Sequence, residues 1–327
     1  MPPGFVSRRA FLGRLAAAAL IGCAASGAPA LAQSGALNIV ATTAMIGDVV
    51  RQVAGERASV TVLMGEGVDP HTYRQTRSDV VAMTRAGAVF WHGLNLEAQL
   101  AEFLADLGHR KPVVALGERV ARDKLIDDPA APGKPDPHIW MDPRLWRDVV
   151  VAGLDELARL EPAGRSAFAA NAARYIEEID RLAVYAERAL ATVPQDSRVL
   201  VTAHDAFNYF GRAYGYEVVG IQGISTESEA GLKQIEDIVK LLVERKIRSV
   251  FVESSVSERN VRALIEGAAA RGHAVEIGGE LFSDAMGRPG TYEGTYIGMI
   301  DHNVTVITRA LGGDTAKAGL NGRLAAR

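Results

Sequence analysis

A helix-period run between two prolines divides this chain and fixes the scale of what it can fold into. From Pro162 to Pro194, the residues Phe168, Ala172, Tyr175, Ile176, Ile179, Leu182, Ala183, Ala186 and Leu190 recur at steps of three and four. That is the spacing of one buried helical face. Pro162 suits a first turn, where its missing N–H is not needed, and Pro194 stops the run. At roughly 1.5 Å per residue the predicted helix, 162–193, extends about 45 to 50 Å. This is enough to run the length of two lobes, and such a connector predicts little closing motion.

On either side, short β-branched runs alternate with amphipathic segments of helical length. Strands are predicted over 37–43, 59–64, 88–93 and 113–116, with helices over 46–54, 78–86 and 97–107. The pattern resumes after 195 with strands over 198–203, 217–221, 249–253 and 274–278, again with helices between. This βαβα order predicts an α/β fold with parallel sheets covered on both faces. The predicted organisation is a leader over 1–32, a first α/β lobe over 33–161, the connecting helix over 162–194 and a second α/β lobe over 195–327. The segment 119–137, rich in Asp, Pro, Ala and Gly, is expected to be an exposed loop on the first lobe.

The leader carries Ser7-Arg8-Arg9-Ala10-Phe11-Leu12, which resembles a twin-arginine export motif, then an Ala/Leu-rich run and Ala30-Leu31-Ala32, a plausible cleavage site. Leu20-Ile21-Gly22-Cys23 competes with it as a lipobox that would make Cys23 a lipidated first residue. The expectation is export to the periplasm, with lipid anchoring through Cys23 as the alternative. Cys23 is the only cysteine, so the rest of the chain has neither a disulfide nor a thiolate metal ligand. The formal charge of −3 includes three leader arginines, leaving an acidic body that argues against nucleic acid as a partner.

Four residues stand in unusual contexts. His71 lies in Gly67-Val68-Asp69-Pro70-His71-Thr72-Tyr73, and His138 in Asp136-Pro137-His138-Ile139-Trp140-Met141-Asp142-Pro143. His204 lies in Thr202-Ala203-His204-Asp205-Ala206-Phe207, and Asp284 in Phe282-Ser283-Asp284-Ala285-Met286-Gly287. Taken singly, each has an ordinary explanation: a turn histidine, a loop histidine beside Trp140, a helix-start residue beside Asp205, and a helix N-cap. The gaps of 67, 66 and 80 residues exclude a local finger. Yet all four follow a predicted strand or open a helix, where open α/β sheets bind their ligands. If the fold brings them together, three imidazoles and a carboxylate make a four-point cage for a divalent ion of borderline softness. His92, His109, His273 and His302 lack comparable neighbours and are read as ordinary residues.

Together these segments resemble the TroA-like zinc and manganese receptors, the metal-binding family of ABC-importer solute-binding proteins. The resemblance covers nearly all of the chain after the leader. It includes Gly223-Ile224-Ser225-Thr226, Phe251-Val252-Glu253-Ser254-Ser255 and Gly278-Gly279-Glu280-Leu281-Phe282 as well as the four motifs. It implies two (β/α) lobes joined by one long rigid backbone helix, with a metal site of His71, His138, His204 and Asp284 in the cleft between them. It also implies Zn2+ or Mn2+ as transported cargo and, as partner, an inner-membrane ABC permease with a cytoplasmic ATPase. The protein is expected to be a monomer that touches the membrane only through that permease or a lipid anchor. Zinc-dedicated members often carry a His-rich loop near the second ligand, absent from 119–137, and manganese-dedicated members often have Glu where His204 stands. The contrasting function class is a metal-dependent hydrolase using the same four residues, with Glu253 or Glu280 as base. No His-Glu-x-x-His helix and no Ser- or Cys-centred nucleophile motif supports it, and the chain is expected not to be an enzyme.

Overall fold

The computed structural model describes residues 36–316 and 318–324; the export, cleavage and lipobox readings over 1–32 lie outside the described residues. Residues from Ala36 onward pack as one compact unit.

The first half opens with β1 (Leu37–Thr43), whose last five residues are all buried. Thr43 then caps α1 (Ala44–Ala54) by accepting from the Ile46 N–H. There follow β2 (Ala58–Met64), α2 (Arg77–Arg85, with a Thr76/Asp79 capping box), β3 (Ala88–Trp91), α3 (Ala101–Gly108) and β4 (Val113–Ala115). The four strands form one parallel sheet in the order β2-β1-β3-β4. Parallel neighbours require crossovers, and the helices supply them. Helix α4 (Pro143–Leu160) starts with Asp142 accepting the Arg144 N–H and Pro143 in the first turn.

The connecting helix is shorter than its period suggested. Pro162–Gly164 is a 3-10 turn, and α5 proper runs Arg165–Leu190. No side chain caps its start, and the Phe168 ring lies 2.5 Å from where a Gly164 Cβ would stand, so only glycine fits that turn. The second half comprises β5 (Val199–Thr202), α6 (Asn208–Tyr214), β6 (Glu217–Gly220), α7 (Leu232–Glu244), β7 (Ser249–Glu253), α8 (Arg259–Ala270), β8 (Glu276–Leu281) and α9 (Tyr296–Ala310). Its strands pair in parallel as β5-β6 and β7-β8. The sequence places the end of the last strand at residue 278, but β8 continues through Gly278 and Gly279 to Leu281. These glycines are not breakers there. A Cβ on Gly279 would stand 2.5 Å from the Val306 side chain of α9, and one on Gly278 2.8 Å from Ala310. They let the helix lie directly on the strand.

The largest apolar cluster runs through both halves, with Phe168, Tyr175, Ile179, Leu182, Ala186 and Leu190 of α5 inside it. A buried polar knot ties the same elements. Asp48 of α1 accepts from the Tyr175 hydroxyl of α5 at 2.7 Å and from the Tyr296 N–H at the start of α9 at 3.2 Å. Burial raises the pKa of this carboxyl, against the opposing effect of those donors. The loop 119–137 is exposed along most of its length, but its end dives inward to Asp136, which is fully buried. Tyr209 of α6 holds both limbs, accepting from the Ile126 N–H at 3.0 Å and donating to the Asp136 carbonyl at 2.8 Å.

Candidate metal centre

All four singled-out residues converge. His71 follows β2, His138 precedes the 3-10 turn leading into α4, His204 follows β5 and Asp284 follows β8. One donor atom from each lies within 4.8 Å of all the others. His138 Nε2 is 3.3 Å from His71 Nε2 and 3.4 Å from His204 Nε2. Asp284 Oδ1 is 3.3 Å from His138 Nε2, and its Oδ2 is 3.1 Å from His204 Nε2 and 3.6 Å from His71 Nε2. A tetrahedral zinc ion with bonds of about 2.0–2.1 Å sets its donors about 3.3–3.4 Å apart. The donor pairs of this chain, 3.1–3.6 Å apart, bracket that spacing.

Local chemistry aims each imidazole. Both Asp-Pro-His tripeptides form the same turn: Asp69 Oδ1 accepts the His71 N–H and Asp136 Oδ1 the His138 N–H, each at 2.9 Å. Asp136 also takes His138 Nδ1 at 2.7 Å. Glu253, at the end of β7, does the same for His204, with Oε1 2.9 Å from its N and Oε2 2.5 Å from its Nδ1. Nδ1–H donation to a carboxylate fixes the tautomer and leaves Nε2 pointing at the centre. Both Asp284 oxygens are buried, facing the Nε2 atoms of His138 at 3.3 Å and His204 at 3.1 Å. A carboxylate so enclosed needs positive charge beside it, which those imidazoles carry when no ion is bound and a metal ion supplies when one is.

The electrostatics are divided. Burial holds His71 neutral, lowering its pKa to about 4. Burial also opposes charge on His138, but the Asp136 carboxylate and then Asp284 outweigh it and lift the pKa to about 9. His204 likewise rises well above its ordinary value, with Asp284 and Glu253 overcoming burial. Asp284 is held well below the usual carboxylate range, burial being outweighed by His204 and His138. His138 and His204 are wholly enclosed; His71 and Asp284 are each 3% exposed. The turn of His71 is tied to the second half by Asp69 Oδ2, which accepts the Thr226 hydroxyl at 2.6 Å.

His92, read from sequence as an ordinary residue, is a support of this site. It is fully buried, its Nε2 meets the Pro137 carbonyl at 2.7 Å, and its ring lies edge-on to Trp140 at 5.0 Å. Burial lowers its pKa to about 3, so it is a neutral donor. Its backbone N–H in turn is held by the buried Glu97. Nothing in its immediate sequence signals this, because its partners are 45 residues away. His273 caps the Ile247 carbonyl and His302 the Glu280 carbonyl, away from the centre. Glu253 has both oxygens on His204, and Glu280 is exposed, so neither stands over the centre as a free base.

Comparison with known proteins agrees with the geometry. Residues 39–310 match the family model of ZnuA, described as zinc-uptake complex component A, periplasmic. The chain is 44% identical over 294 residues to the manganese-binding lipoprotein MntA of Bacillus subtilis, covering 90% of this chain and 95% of that protein. It is 42% identical over 287 residues to the zinc-binding protein TroA of Treponema pallidum, covering 88% of this chain and 92% of TroA. The solved structure of the latter, a periplasmic zinc-binding protein, superposes with a TM-score of 0.83 over 85% of this chain and 99% of that one. The family and these relatives are binding components rather than enzymes. With the fold, the buried three-histidine, one-aspartate cluster and a match spanning most of its length, this chain belongs to the ZnuA family.

Proposed function

We propose that this protein captures a single zinc or manganese ion outside the cytoplasm on His71, His138, His204 and Asp284 and hands it to an ABC-type permease driven by a cytoplasmic ATPase. The observation that carries this reading is the donor spacing. Neighbouring Nε2 and carboxylate oxygens sit 3.1–3.6 Å apart, and all four ligand atoms lie within 4.8 Å of one another, with both Asp284 oxygens turned toward the imidazoles. A closed four-donor shell without an open position suits retention of an ion as cargo and not hydrolysis. In this reading 33–161 and 195–327 act as two lobes about the 162–194 helix, and the protein works as a monomer. The leader exports it to the periplasm, with an anchor at Cys23 as the other route.

Relatives named for zinc and for manganese both support the cargo class, and three imidazoles favour zinc between the two. The test is elemental analysis of protein purified from its native envelope, together with thermal melts of His71→Ala, His138→Ala, His204→Ala and Asp284→Ala. One equivalent of metal is expected in the native protein. With free zinc about a thousandfold above the dissociation constant, the native protein should gain about 4 kcal/mol, and each variant should lose most of it. Two or more variants that keep the full gain would show the ion to be held elsewhere.

A further inference from the structure

We propose that Trp140 is a positioning residue that sets the span between His138 and Asp284, and through it how long the ion stays bound and how far zinc is preferred over manganese. This rests on the metal-binding reading above. Trp140 lies two residues after His138 and is fully buried. Its indole Nε1–H donates to the Ser283 carbonyl at 2.8 Å, across 143 residues of sequence. Ser283 immediately precedes Asp284. One side chain therefore joins the loop that carries one donor to the loop that carries another, and no backbone hydrogen bond among the described residues does so.

Trp140 is itself held from behind. Its carbonyl accepts the Tyr296 hydroxyl at 2.9 Å, and the Tyr296 N–H donates to buried Asp48. The indole also stands edge-on to the His138 ring, 5.2 Å away at 68°. His138 is thus braced on two sides, by Asp136 at Nδ1 and by the indole against its face. The Asp284 carboxylate faces the imidazoles of His138 and His204, and its place follows from its backbone, which Trp140 holds at Ser283 toward the His138 loop while Asn303 clasps Phe282 and the Ser254 hydroxyl meets the Ala285 carbonyl on the other side. Removing the indole donor cuts the tie between the Asp284 and His138 loops and lets their span widen, which costs a compact tetrahedral shell more than one with longer metal–oxygen bonds. Partners that orient ligands in this way typically change metal affinity by about 10–100-fold.

The experiment compares wild type with Trp140→Phe and with 3-benzothienylalanine placed at position 140, an isostere that keeps the ring volume but replaces the N–H with sulfur. Each is loaded with zinc for release kinetics, with cobalt for visible absorption, and with zinc and manganese in competition. The isostere is expected to release zinc about ten- to a hundredfold faster, to give a weaker cobalt band as the site departs from tetrahedral, and to show a smaller zinc-over-manganese ratio. A merely structural role would lower the melting temperature and leave the cobalt spectrum and release rate unchanged. That result in the isostere overturns the proposal, whatever Trp140→Phe does to folding. Wild type that binds no metal would instead overturn the functional reading itself.

Discussion

Adding zinc to the metal-free protein at pH 7.0 is expected to displace about two protons per ion, and the number follows from the carboxylates behind the imidazoles. His138, with its pKa lifted to about 9 by Asp136 and Asp284, is about 99% protonated two units below that value. His204, raised well above its ordinary value by Asp284 and Glu253, is protonated too. His71, lowered to about 4 by burial, already has a free Nε2, and Asp284 is already ionised. Zinc must therefore expel one proton from each of two imidazoles. Apparent affinity should rise about 100-fold per pH unit between about 5 and 8 and flatten as pH nears the His138 value, with a third proton entering only below about 4. The stability of the metal-free protein follows the same signs. A folded pKa of about 9 on His138, against about 6.5 unfolded, gives stabilisation that is complete below about 6.5 and lost as pH rises through about 9. His71, depressed when folded, gives stabilisation present above about 6.5 and lost as pH falls toward 4. Calorimetric titration in phosphate and in Tris at pH 7.0 reads the proton count from the dependence of the observed enthalpy on buffer ionisation. A count of one or less would mean that Asp136 and Glu253 do not hold charged imidazoles in the empty site, and the electrostatic argument would fail.

Three further outcomes are expected. Glu253→Gln removes the charge behind His204 while keeping its shape, and should weaken zinc binding about 10–100-fold and lower the proton count by about one in the same calorimetry; unchanged values would make Glu253 a bystander. His204→Glu replaces a nitrogen donor with a harder, charged oxygen, and competition titrations should show the zinc-over-manganese ratio falling; an equal or larger ratio would remove His204 from the selectivity argument. Because α5 runs unbroken for 26 residues through a core shared by both halves, metal-free and metal-loaded protein should differ by small tilts and loop ordering, and solution scattering with a marked contraction on loading would refute a rigid connector.

The sequence made some of this legible and hid the rest for identifiable reasons. β1 falls on its predicted bounds because its apolar run is buried on both faces and needs no partner to be recognised. That these four residues lie together was legible from their joint placement after strands and at helix starts, with the paired Asp-Pro-His turns a further local sign for His71 and His138. What failed depended on distant neighbours. Gly278 and Gly279 look like a strand end until Val306 and Ala310 are seen pressing on them. His92 looks idle until Pro137 and Trp140 close around it. An ordinary imidazole pKa of about 6.5 places proton competition below about pH 6, but burial and carboxylates move His71 down and His138 and His204 up. That window is a tertiary property.

The near-total enclosure of the four donors also governs the timing of exchange. A chelator strips an exposed ion by attacking it directly, so the loss quickens with every addition of chelator. Here His138 and His204 have no accessible surface, and His71 and Asp284 have almost none, so an incoming ligand has no face of the ion to approach. Loss of metal must wait for the protein to open and then proceeds at a rate the chelator does not set. A series of chelator concentrations should therefore reach a plateau, and a rate that keeps climbing in proportion would contradict the enclosure. The same closure ties the life of the complex to an opening step that must part the ion from donors on both halves of the chain, so a poorly held ion leaves sooner than a well-held one even though no chelator reaches either.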